Sequence, residues 1–169
     1  MPVLVDSNVI LDIASDDPKW GAWSDAQVTK YHRRGLVINP IIFAELCAGA
    51  ENMTEVEGVV SDLKLEYREL PREVLFLAAK AFLQYRRRGG TKTSPLPDFF
   101  IGAHAAALGI SILTRDKGRY IGCSLFEKIL SWHNSRALSN FQISARHFGA
   151  YVATNMQFNS DFYVDWYCV

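Results

Sequence analysis

Apolar positions along this chain follow two rhythms. Short continuous runs alternate with longer stretches in which apolar residues recur every three or four positions. Residues 2–5 (PVLV) read as a buried strand that stops on Asp6, Ser7 and Asn8. A helix opens at Ser7 or Asn8 and ends near SDDP (15–18). Residues 20–35 read as an amphipathic helix with Gly35 as its stop, and 36–40 (LVINP) as a second strand. Pro40 suits the first turn of the next helix, which carries IIFAELCAG and stops near Gly49. Residues 53–63 have helical spacing. The clearest helix spans 71–90, with Pro71 at its start and a double glycine at its end. Residues 91–96 form a loop, 97–109 an apolar helix closed by Gly109, 110–114 a buried strand and 115–118 a turn. Strands that alternate with helices predict an α/β domain with a mainly parallel sheet. In such folds chemistry gathers at the carboxyl ends of the strands.

The rhythm fades after about residue 122. The remaining stretch has few charges, many aromatics and weak periodicity; 124–133 reads as helical and the final FYVDWYCV as an edge strand. The domain organisation is therefore read as an α/β unit over 1–122 and an atypical extension over 123–169.

The 169 residues suffice for one domain with a real core. The composition, 49% apolar and 21% charged, is that of a soluble globular protein. Net charge is zero, so any nucleic-acid surface has to be local. Cys47, Cys123 and Cys168 are scattered and odd in number, which argues against a disulfide framework and for a reducing cytoplasm. Nothing reads as a signal peptide or a membrane span.

Four acids fall at comparable places. Asp6 ends the first strand, Glu45 lies in the helix after the second, Asp98 opens the apolar helix, and Asp116 follows the strand ISILT. Each has an ordinary explanation. Asp6 and Asp98 suit helix N-termini, worth about 0.5–2 kcal/mol, Asp116 suits a turn, and Glu45 suits an ion pair with an arginine. Their joint placement says more. On a parallel sheet Asp6 and Asp116 share one edge, and Glu45 and Asp98 sit on helices that enter or leave it. Converging carboxylates repel unless a cation sits among them. An oxygen-only set favours Mg²⁺ or Mn²⁺ over Zn²⁺. His104, six residues beyond Asp98, reads as an ordinary core or surface histidine. No covalent-nucleophile motif and no Walker A pattern is present. Carboxylate-held Mg²⁺ suits phosphodiester hydrolysis. An aspartyl-phosphate phosphatase is a weaker alternative, because Asn8 stands where a second Asp is needed. A non-catalytic RNA- or protein-binding module stays open.

LVDSNVILD, AELCAG, PDFFIGAHA and ILTRDKGRY, in this order and spacing over about residues 2–121, resemble the PIN domain. More narrowly they resemble the VapC-type ribonuclease toxins of toxin–antitoxin modules. The resemblance implies a Rossmann-like three-layer α/β/α sandwich. It implies a Mg²⁺- or Mn²⁺-binding, RNA-cleaving site of Asp6, Glu45, Asp98 and Asp116, with Ser7, Asn8 and Thr114 as polar supports. It further implies a homodimer and a small VapB-type antitoxin. Arg86, Arg87, Arg88 and Lys92 before Asp98, and Arg115, Lys117 and Arg119 around Asp116, are candidates for RNA phosphates; solvated helix-end charge is the plain alternative. Trp20, Trp23 and Tyr31 could stack bases but fit core or dimer packing better. The tail over 123–169 departs from the family pattern. It is a native extension, an interaction surface, or the product of an altered reading frame.

Overall fold

The computed structural model describes residues 1–93 and 96–116. The extension at 123–169, its expected helix and edge strand, and the candidates Lys117 and Arg119 lie outside the described residues. Two units are distinguished: one built from residues 1–70 and 110–116, the other from 71–109.

The first unit is a parallel sheet with helices. Its elements are β1 (Val3–Val5), α1 (Ser7–Ala14), α2 (Gly21–Tyr31), β2 (Leu36–Ile38), α3 (Pro40–Cys47), α4 (Met53–Asp62), β3 (Leu65–Tyr67) and β4 (Ser111–Leu113). The strand order is β3-β2-β1-β4, with every pair parallel. Val3, Leu4 and Val5 of β1 and Leu36, Val37 and Ile38 of β2 are all buried. Continuous burial, rather than alternation, is what a parallel sheet covered on both faces demands. The α/β class and the parallel sheet expected from the sequence are therefore present.

Local chemistry explains most element ends. Asn39, fully buried, caps α3: its Oδ1 accepts from the backbone N–H of Ile41 at 3.1 Å and of Ile42 at 3.0 Å, and Pro40 follows in the first turn. Gly35, at φ 86°, allows the sharp entry to β2. Before α2, Asp17 Oδ1 accepts from the N–H of Lys19 at 2.9 Å and of Trp20 at 2.7 Å. These two bonds, Trp20 first, hold the Asp17 carboxyl below its usual range.

Two elements differ from the sequence reading. The helix expected over 20–35 ends at Tyr31, and His32–Arg34 tighten into a 3₁₀ turn. Strand β3 went unforeseen. It has three residues and buries only Leu65, while Glu66 and Tyr67 face outward, so no periodic signal could develop. An exposed Glu66–Arg68 ion pair at 2.7 Å sits on this edge, and the Arg68 hydrogen bond holds the Glu66 carboxyl below its usual range.

The second unit contains α5 (Arg72–Arg87) and α6 (Pro97–Leu108). An aromatic cluster joins them: Phe99 meets Phe82 edge-on at 5.7 Å and Tyr85 at 5.6 Å between ring centroids. Helix α6 buries Ile101, Ala103, His104 and Ala105 and ends on Gly109 in the left-handed conformation, φ 63°. His104 is thus a core histidine. Among the described residues no helix is long and apolar enough to cross a membrane.

Two stability predictions follow from the caps. Asn39→Ala leaves one buried and one part-buried N–H group without their acceptor, and urea unfolding should show a loss of about 1–2 kcal/mol. Asp17 has a depressed folded-state pKa, so its contribution is complete above the unfolded value of 3.8 and disappears as pH falls through the lower folded value. The stability gap between wild type and Asp17→Ala, measured across this range, should narrow toward acid and not toward base.

Candidate active site

The strand order places a topological switch at β1, which has β2 on one side and β4 on the other. A crevice opens where connections leave a sheet in opposite directions beyond the carboxyl ends of its strands. Asp6 follows β1 at this point and Thr114 follows β4. The two strand ends are tied together directly: the Asp6 N–H donates to the Leu113 carbonyl at 2.9 Å.

Asp6 occupies the N-cap position of α1, yet its carboxylate makes no cap bond. It is turned to other partners. Oδ2 accepts from Asn8 Nδ2 at 2.7 Å and from the Thr114 hydroxyl at 2.8 Å, and the residue is 1% exposed. Asn8 Nδ2 also donates to Thr114 Oγ1 at 3.0 Å, which uses both amide hydrogens. The Asp116 N–H donates to the same Thr114 oxygen at 3.1 Å. The Thr114 hydroxyl, one donor and two acceptor positions, is therefore fully committed. It connects Asp6, Asn8 and Asp116 in one network.

Glu45 reaches the site from α3. The Ser7 hydroxyl donates to Glu45 Oε2 at 2.6 Å, a short charge-assisted bond. The residue is half-buried, and among the described residues Ser7, rather than an arginine, is its hydrogen-bond donor. Ser7 is the residue after Asp6, so the Glu45 pair adjoins the Asp6 network at the first turn of α1. Asp98 belongs to the other unit, half-buried in the first turn of α6 where a negative charge suits the helix dipole. Asp6, Asn8, Thr114 and Asp116 are thus brought together, with Ser7 and Glu45 beside them.

The basic candidates have separate fates. Arg86 turns onto its own loop, donating to the carbonyls of Gly90 at 3.1 Å and Lys92 at 2.8 Å. Arg87 and Arg88 are exposed at the end of α5. Arg115 lies against Asp12: Nε is 3.0 Å from Oδ2. The Nε–H is not directed at that oxygen, so the contact is an ion pair without hydrogen-bond geometry. The guanidinium also lies over Trp20, 5.7 Å from the ring centroid. Trp20 and Trp23, both half-buried, meet edge-on at 5.9 Å, and Tyr31 is buried in the core. Sequence reasoning passed over Asp12 and its second partner Ser24. The available signal was a carboxylate inside the apolar run VILDIA.

An oxygen-only donor set of this kind matches a hard divalent cation. Among the described residues no three His, Cys, Asp or Glu side chains converge as a ready ligand cage. Mg²⁺ needs none, because it is commonly held by one or two carboxylates with water and substrate oxygens completing its shell.

The network yields a test independent of activity. Thr114→Val keeps the shape but deprives two N–H donors and one carboxylate of the hydroxyl. Chemical denaturation should register a loss of about 1–3 kcal/mol, with most of it restored in Thr114→Ser.

Comparison with curated proteins gave no match. Among solved structures, VapBC2 from Rickettsia felis, bound to a DNA fragment from its promoter, is similar with a TM-score of 0.55 at 16% identity. That similarity covers 69% of this chain and 89% of the other. FitAcB from Neisseria gonorrhoeae is similar with a TM-score of 0.54 at 20% identity, covering 73% of this chain and 94% of the other. At such identities the likeness concerns the fold. The PIN domain family model matches residues 3–120, most of the 169-residue chain and all of the network just described, and the chain belongs to the PIN domain family.

Proposed function

We propose that this chain is a Mg²⁺- or Mn²⁺-dependent endoribonuclease, the toxin of a toxin–antitoxin pair. One observation carries the reading. Asp6 sits at a helix N-cap but takes no cap bond, and its carboxylate is held instead by Asn8 and Thr114 at the switch point of the sheet. A carboxylate needed only for helix capping would not require this arrangement. The PIN membership supports nuclease chemistry, and the likeness to VapBC2 and FitAcB supports a partner of the small VapB type.

In this mechanism Asp6 and Asp116 would hold the cation with Glu45 beside them, and by sequence Asp98 is the fourth acid of the set. When bound, the metal supplies an activated water and neutralises charge on the phosphorus centre. The chain's own residues provide position. Asn8 and Thr114 fix the orientation of the Asp6 carboxylate, Thr114 holds the Asp116 backbone, and Ser7 aims Glu45. Arg87 and Arg88 are proposed as RNA phosphate contacts, together with Lys117 and Arg119 by sequence. Their contribution would weaken with salt. Arg86 and Arg115 are less suited to that role, because their guanidinium groups already have partners within the chain. Action as a homodimer in the cytoplasm completes the proposal.

The test uses the full chain freed of any antitoxin and incubated with transfer and ribosomal RNAs in Mg²⁺, Mn²⁺ or EDTA. Cleavage should require metal and disappear in Asp6→Asn and Asp98→Asn. Cleavage in EDTA, or unchanged cleavage by both variants, would overturn the mechanism. A folded wild-type chain that binds these RNAs without cutting them would point to the binding module instead. Asn8→Ala, which removes a donor to the Asp6 carboxylate but leaves every acid in place, should weaken metal binding or rate by about 10–100-fold.

A further inference from the structure

Asp12 is 3% exposed, and nothing in the proposed reaction uses it. A buried carboxylate is costly unless it is paired. Its Oδ2 accepts from the Ser24 hydroxyl of α2 at 2.9 Å and lies 3.0 Å from Arg115 Nε. Arg115 stands between Thr114 and Asp116, in the segment just past the end of β4. The strand ladder no longer holds the backbone there. Asn8 and Asp12 are four residues apart on α1 and therefore share a helix face. Asn8 takes the same segment through Thr114 Oγ1 at 3.0 Å and the Arg115 N–H at a long 3.4 Å. Asp12 takes it through the Arg115 side chain. The guanidinium is backed by the Trp20 ring, and the Trp20 backbone N–H donates to Asp17 Oδ1.

We infer that Asp12 and Arg115 are positioning residues that clamp the 114–116 segment to α1 and so set the place of Asp116 in the acidic site. This rests on the nuclease reading for its catalytic consequence, but the clamp itself is a statement about the Asp116 backbone. Arg115 thereby acts on Asp116 from within the protein rather than as a hand for the RNA backbone.

The experiment compares Asp12→Asn, Arg115→Gln and the double variant in the full chain. Asp12→Asn keeps the size of the side chain and an acceptor for Ser24; Arg115→Gln changes a partly exposed group, so that one variant remains informative if the other folds poorly. Three quantities are measured: hydrogen exchange of the Asp116 amide, Mn²⁺ affinity by electron paramagnetic resonance, and kcat and KM for RNA. The Asp116 amide should exchange faster in each single variant. Mn²⁺ affinity and kcat should fall by about 10–100-fold, with KM little changed. The double variant should be no worse than the worse single one, because both break the same link. Arg115→Lys, which keeps the charge without the planar fork, should recover part of the loss.

Unchanged Asp116 exchange and Mn²⁺ affinity in well-folded variants would overturn the clamp. So would a rise in KM at constant kcat in Arg115→Gln, which would make Arg115 an RNA contact. If the unsubstituted chain cuts no RNA, the nuclease reading fails, while amide exchange and Mn²⁺ binding still decide the clamp.

Discussion

The hydroxyl of Thr114 is the point on which the arrangement of the site depends. It gives its hydrogen to Asp6 and accepts from Asn8 and Asp116, so three residues from two strand ends and a helix are located by one oxygen. Such an arrangement is demanding, because a buried polar group that loses one partner incurs the cost of an unmade hydrogen bond. The sheet makes it possible. Parallel pairing of β1 with β4, in the register Val5 to Leu113, brings Asp6 and Thr114 to the same edge at the same height. A slip of one residue would send both side chains to opposite faces.

Around that point the chain separates support from chemistry. Residues that carry no charge (Ser7, Asn8, Thr114) hold those that do, and each hydrogen bond goes to a carboxylate oxygen, an amide or another member of the network. Neutral donors orient a carboxylate without cancelling its charge, which leaves it able to attract a cation. The Asp12–Arg115 pair is the opposite case: two opposite charges neutralise each other at a buried position beside the network and contribute placement alone. Both kinds of interaction converge on the three residues after β4. That is where a strand has ended and backbone order must come from side chains.

Much of this was legible in the chain. The apolar runs marked β1, β2 and β4, and the three-to-four spacing marked α5. Pro40, Pro71 and Gly109 marked element ends, because these residues act through their own backbone and need no distant partner. The position of the acids at element ends was visible too, since it depends only on where a run stops. Strand β3 was not, because three residues with one buried side chain give no period to count.

What the sequence determined by itself is local: the α/β alternation, the placement of Asp6 after a buried strand, and the oxygen-rich residue types that restrict the chemistry. What the tertiary structure decided is partnership. Asn8 meets Thr114 across a separation of 106 residues, and Ser7 meets Glu45 across 38. That the Asp6 carboxylate bonds Asn8 and Thr114 and does not cap α1 was decided in the same way, by which atoms lie within its hydrogen-bonding reach. Arg115 likewise reads in sequence as a candidate for RNA phosphates or a solvated charge, and became the partner of a buried Asp12 only through folding. Hydrogen bonds and ion pairs act over a few ångströms in space. Their partners are therefore set by strand register and helix packing, neither of which is written at any single position of the chain.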